Sequence, residues 1–340
     1  MSCANRINES VASRSKPWAV RAWVAAVAGA GVVLAAPAGA APAAAGRGLA
    51  GFGVEARHIE PAARARTAAW LAAYRVSNPG AFAAVAAVSG CKPETYHLLR
   101  KPAPNCASEL RALGAGVVPA LVEALAFQVP AGRAWTPEER KAWAFGLLLA
   151  TGAARDARAT PVLVAVLEKG AEDPVLQQAA AEALGRIGGD AELAVLLRHA
   201  RAGALRELPA LAGLGTCARV EAARHLARAL AAKPAEATAE TIALALASVA
   251  SDWAWQARAR QDSGQAAAVA ARGLEIRSVA LLAAAQALPQ WNGVVRDRLI
   301  DVLSMAAHPD TAKVVAQLKG RGDTELNAAL DAFGRRAALP

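Results

Sequence analysis

Aromatic side chains make up only 4% of the 340 residues, and methionine and tyrosine occur twice each. Strands draw on aromatic and β-branched residues, whereas alanine and leucine are the strongest helix formers. A chain that is 55% apolar yet so poor in rings therefore has to build its core from alanine and leucine, which points to closely packed helices. Histidine is scarce as well: His58, His97, His199, His225 and His308 are scattered along the chain. No HExxH, GxSxG, Walker loop or CxxC pair is present, so the usual signatures of metallopeptidases, serine hydrolases, NTPases and redox dithiols are missing. From these absences we expect no catalytic residues, no cofactor and no metal, and hence a chain that is not an enzyme. Gly46, Gly48 and Gly51 match the dinucleotide fingerprint by letters only, because no strand precedes them.

Acidic residues are in short supply too, 28 against 38 lysines and arginines, for a formal charge of +10. That sign favours anionic partners. The first 40 residues contribute part of it and resemble a secretory signal peptide. Arg6, Arg14, Lys16 and Arg21 precede an apolar run from Ala22 to Ala36, which Pro37 breaks before Ala38, Gly39 and Ala40. Cleavage is expected after about Ala40. The run is shorter than the roughly 20 residues a bilayer span needs, so a membrane anchor is the less favoured reading. Removing this segment takes away four basic residues and one acidic one, lowering the formal charge from +10 to +7. The exported, periplasmic or secreted location this implies makes nucleic acid an unexpected partner. Acidic lipid or polysaccharide remains compatible.

Asp173 to Gly188 organise the rest of the chain. Asp173 is a good N-cap and Pro174 suits the first helical position, where its missing N–H costs nothing. Leu176, Ala180, Ala183, Leu184 and Ile187 form one apolar stripe, Gln177, Gln178 and Arg186 fall away from it, and Glu182 and Arg186 are spaced for an i,i+4 pair. Gly188 offers a left-handed C-cap. Upstream, Thr160-Pro161 opens a shorter helix; downstream, Asp190 opens another. This alternation of a short helix with a longer Ala-rich one resembles HEAT repeats, specifically the phycobilisome-lyase-type HEAT-like subgroup. In that subgroup the second helix reads Asp-Pro-x-Val-Arg and then Ala-Ala-x-Ala-Leu-Gly-x-Ile-Gly. The residues that match are Asp173, Pro174, Leu176 in the valine place, Ala180, Ala181, Ala183, Leu184, Gly185, Ile187 and Gly188. Gln177 departs from the usual arginine. Leu110 to Leu125 resembles the junction between one repeat and the next. The resemblance implies an all-α fold, an α-solenoid of about six helix pairs; members of the subgroup include bilin lyases.

The expected organisation is a signal peptide over residues 1–40, a flexible tether over 41–57, an N-terminal helical cap over 58–107 and the repeat array over 108–340. Within the cap, Cys91 and Cys106 flank a proline-broken loop and are expected to form a disulfide in an exported chain. Zinc at Cys91, His97 and Cys106 lacks a fourth ligand and any standard spacing. Cys217 is left over. It follows Thr216 near a helix start and is expected to be a small buried hydrophobe. Thr136 to Glu139 reads as a capping box ahead of a helix burying Trp143, Leu147 and Ala150.

Gln256 to Ala266 is polar and is expected to be an exposed loop. Just before and within it, Trp253, Trp255, Arg258 and Arg260 interleave rings with guanidiniums, a pattern that stacks on planar groups and holds anions. Periodicity puts Trp253 on the apolar face of Ile242, Leu246 and Val249 and leaves Trp255 unaccounted for. Arg198, Arg201, Arg224 and Arg228 offer a second basic surface. The functional expectation is an exported scaffold that binds another protein on a concave, partly basic face. The alternatives are an enzyme or enzyme-accessory subunit of the lyase-like HEAT type, and a module for acidic lipid or polysaccharide.

Overall fold

The computed structural model describes residues 51–88, 91, 104–128, 134–170, 173–320 and 323–337. The expected signal segment, the first part of the expected tether, and Tyr96 and His97 of the cysteine loop lie outside them. The described residues are all-α: sixteen α-helices joined by short 3-10 turns, with no β-strand among them.

The helices are α1 (Pro61–Ser77), α2 (Pro79–Ala87), α3 (Asn105–Ala112), α4 (Val118–Ala126), α5 (Pro137–Ala154), α6 (Thr160–Lys169), α7 (Pro174–Ile187) and α8 (Asp190–His199). They continue with α9 (Glu207–Leu214), α10 (Val220–Ala231), α11 (Glu236–Val249), α12 (Asp252–Gln261), α13 (Ala266–Ala287), α14 (Gly293–Ala306), α15 (Thr311–Lys319) and α16 (Thr324–Ala337). From α4 onward they pack as neighbours in pairs: α4 with α5, α6 with α7, α8 with α9, α10 with α11, α13 with α14, and α15 with α16. The second members also pack on one another in a row, α5 on α7, α7 on α9, α9 on α11 and α11 on α14, with α3 adjoining α5. Six such pairs lie among the described residues from α4 onward, and α12 packs on α13 as well. The buried apolar residues form one continuous cluster from Phe52 to Phe333, made chiefly of alanine and leucine.

Local chemistry explains the ends of these elements. Thr136 and Glu139 form the reciprocal capping box of α5. Asp173 caps α7 through the Val175 N–H, and Gly188 closes that helix at φ 70°. Arg186 donates to Glu182 at 3.2 Å. The second helices approach each other closely because glycines line their contacts: a Cβ on Gly152 would lie 2.7 Å from the Ala183 Cα, and one on Gly185 would overlap the Gly213 carbonyl and the Thr216 hydroxyl. Gln177 is buried, a correction to its expected outward position, since α7 is covered on two sides by α5 and α9.

A second correction concerns the tether. Its last part is packed: Phe52 and Val54 are buried, and the N–H groups of Phe52 and Gly53 donate to the Ala124 and Leu125 carbonyls at 2.9 Å each. These carbonyls end α4 and have no partner within the helix, so the segment supplies what the helix terminus lacks. Gly51 lies so close to the Leu125 carbonyl that no side chain fits there. The third glycine of the apparent dinucleotide fingerprint thus serves packing.

Cys91 and Cys106 are disulfide-bonded, with Cα atoms 4.9 Å apart, and both are buried. A Cβ on Gly146 of α5 would lie 2.7 Å from the Cys106 Sγ, so Gly146 makes room for the bridge.

Candidate functional site: helix α12 and the ends of the second helices

Polar residues dominate α12, and its place in the molecule follows from how α11 ends. Ala250 closes α11, and the Ser251 hydroxyl accepts from the Ala254 N–H to start a new helix in a new direction. The phase of Ile242, Leu246 and Val249 is therefore not carried to residue 253. Trp253 is 74% exposed and Trp255 only 4% exposed, the reverse of their expected roles. The Trp255 indole N–H donates to the Val249 carbonyl at 2.8 Å. Its ring covers Gly273 of α13, where a Cβ would sit 2.8 Å from the indole carbons.

The expected exposed loop is likewise corrected. Gln256 to Gln261 complete α12, Ser263–Gln265 form a 3-10 turn, and Ala266 already opens α13, the longest helix at 22 residues. The polar letters mark a solvated face. Asp252 anchors the helix start, accepting from Gln256 at 2.6 Å and pairing with Arg277 of α13.

Arg258 stacks over the Trp255 ring, 4.8 Å from its centroid, and donates to the Thr216 carbonyl just beyond α9 at 3.3 Å. Burial, with the charges of Arg155 and Arg186 added, presses this guanidinium down to about 10, and it stays charged at neutral pH. Arg260 is exposed at the end of α12. Of the four expected site residues, Trp253 and Arg260 thus face solvent, Arg258 bridges α12 to the end of α9, and Trp255 holds the helix in place.

Sequence reasoning missed the residues Arg258 turns toward. Arg186 ends α7, and its Nη1 reaches the position a Cβ on Gly152 would occupy, at 3.5 Å, in the last turns of α5. Arg155 is the α5 C-cap at φ 55°, a left-handed position where glycine is usual. No glycine at that cap signalled the helix end. Burial lowers the Arg186 pKa, and Arg111 and Arg155 lower it further while Glu182 opposes them.

The second basic surface is already neutralised in part. Arg198 of α8 pairs with Glu168 at 2.7 Å, and Arg224 of α10 pairs with Glu275 at 2.9 Å. His199 meets Glu168 at 3.0 Å and His225 the Ala200 carbonyl at 3.2 Å, so the two histidines are held by separate partners. Cys217 is fully buried, and burial pushes its thiol up to about 11. Helix α10 begins at Val220, beyond the expected start, so its N-terminus does not activate that sulfur. No grouping of three or more metal-binding side chains occurs among the described residues.

No protein-family model matches the chain, and no curated protein does either. Among solved structures, the chain is similar to human deoxyhypusine hydroxylase in complex with glycerol, at 16% identity, with a TM-score of 0.30, over 77% of this chain and 96% of that one. The class defined by fold and contacts is an all-α protein of paired, stacked helices. The expectation that the chain is not an enzyme is corrected by this comparison: the similar structure is that of an enzyme, and stacked helices are no ground for setting catalysis aside.

Proposed function

We propose that this chain is an exported HEAT-like α-solenoid, of the phycobilisome-lyase-type subgroup in its repeats, that binds another protein on a concave, partly basic surface. Its signal peptide is cleaved after about Ala40, and the mature chain acts outside the cytoplasm. The disulfide and the absence, among the described residues, of any helix long and apolar enough to cross a membrane support that location. The observation that carries the binding reading is Trp253. A tryptophan 74% exposed, on the same helix as Arg258 and Arg260, has the anatomy of an interface anchor.

The test is affinity capture from envelope extract with the wild-type chain and with Trp253→Ala, washed at low and then high salt. A specific protein retained through high salt by the wild type, and reduced at least tenfold by the variant, is the expected outcome. Equal capture by both removes α12 from the reading. Retention of anionic lipid or glycan only, lost as salt rises, replaces the protein partner with a charged surface.

A further inference from the structure

The ends of the second helices collect positive charge that the protein itself leaves largely unanswered. Arg111 in the last turn of α3 lines a groove of about 560 Å³ with Ala150, Ala153 and Ala154, the last turns of α5. Arg155 immediately follows them. Arg186 lies across the same turns of α5, against Gly152. Arg258 joins from α12 through the Thr216 carbonyl, and the Thr216 hydroxyl in turn donates to the Glu182 carbonyl, one turn before Arg186, at 2.8 Å. Four guanidiniums, three from the ends of α3, α5 and α7 and one from α12, therefore converge, and Glu182 is the carboxylate bonded to Arg186 within the group. Among the described residues, Arg258 meets a carbonyl and an aromatic face.

We propose that Arg111, Arg155, Arg186 and Arg258, with the apolar groove beside Arg111, form a site for an acidic, apolar-flanked segment of a polypeptide partner. The guanidinium forks suit carboxylates, which they bind in bidentate fashion. In an extended segment, side chains two apart lie on one face about 6 to 7 Å from each other, close enough for neighbouring carboxylates to engage a convergent cluster. The groove decides between classes of polyanion. Ala112, Ala115, Ala150, Ala153 and Ala154 line it beside Ser108 and Arg111, so it takes an apolar side chain next to the charge, which a hydroxyl-rich sugar does not supply. This site rests on the scaffold reading above and gives its partner a chemistry.

The test uses the full chain and a labelled ten-residue peptide whose central glutamates are flanked at both ends by leucines. Binding is measured by anisotropy across a salt series, against the peptide with glutamine in place of glutamate and against phosphatidylglycerol vesicles. The wild type is expected to bind the acidic peptide at least tenfold more tightly than the glutamine peptide. Arg111→Glu with Arg155→Glu should lose at least tenfold in affinity, while Lys313→Glu, on α15, should bind as the wild type does. Both Arg side chains are exposed, and Arg111→Gln with Arg155→Gln provides a milder pair should the charge reversal disturb folding. Equal affinity for the glutamine peptide, undiminished binding by both double variants, or binding to vesicles without binding to peptide overturns the assignment. If Trp253→Ala abolishes partner capture while the double variants do not, the scaffold stands and this site falls. The opposite pattern retains this site and removes Trp253 as an anchor.

Discussion

At the scale of single residues, close approach and burial decide more than charge. Gly185 belongs to the repeat motif by letter, but its physical role is to let α7 meet the end of α9. Gly185→Ala forces its methyl into backbone that cannot move aside, a cost of about 1 to 3 kcal/mol by overpacking. Urea unfolding should show that loss, and Gly264→Ala, which meets open space, should not. Trp255→Ala removes a buried ring and its hydrogen bond and should cost about 3 to 5 kcal/mol. Trp253→Ala, at an exposed site, should stay within about 0.5 kcal/mol of wild type. Equal effects of the two would overturn the assignment of one to packing and the other to recognition.

Cys217 adds a pH dependence with a definite sign. Burial raises its folded pKa to about 11, above the 9.0 of an unburied thiol, so the fold prefers the neutral form. The stabilisation is fully present below pH 9 and is lost as pH rises toward 11. Two units correspond to roughly 2 to 3 kcal/mol at most. The urea midpoint of the wild type should fall between pH 9 and 11 more steeply than that of Cys217→Ala. Parallel profiles would show that the thiol does not titrate in this range.

At the scale of elements, irregular segments are held by particular partners. The stretch from Gly51 to Val54 satisfies carbonyls at the end of α4, and Gly51→Val cannot keep that position. Amide exchange in α4 should quicken in this variant, while α14, at the far end of the row, stays protected. The disulfide closes a sequence separation of 15 residues, and Cys106→Ser should cost about 3 kcal/mol in the chain-entropy view. Denatured, unreduced full-length chain with the bridge intact exposes the thiols of Cys3 and Cys217 alone. Helix α12 is held by Trp255, Asp252 and Arg258, each bonded to a different neighbour, which is why a sequence so polar forms a helix there.

At the scale of the whole molecule, a continuous core runs through the row while each second helix touches chiefly its neighbours. In such an arrangement, stability is the sum of local units and their interfaces. Loss of the disulfide should therefore speed exchange in α3 and α5 and leave α13 and α14 unchanged. A uniform rise across the chain would mean that the row unfolds as one unit. Far-UV circular dichroism of residues 41–340 should be that of a helical protein.

The sequence by itself determined the all-α class, the Thr136 box, the Asp173 and Gly188 caps and the Cys91–Cys106 pairing. These depend on neighbours in the chain, on a periodicity of 3.6 residues per turn, or on two cysteines flanking one proline-broken loop. Tertiary structure decided what depends on direction. A single cap at Ser251 turns the chain and exchanges Trp253 for Trp255 in the core. Packing of Gly51 against α4 converts an apparent tether into a strap. The convergence of Arg111, Arg155, Arg186 and Arg258 arises because helices packed side by side bring together residues separated by dozens of positions, a proximity that has no signature along the chain.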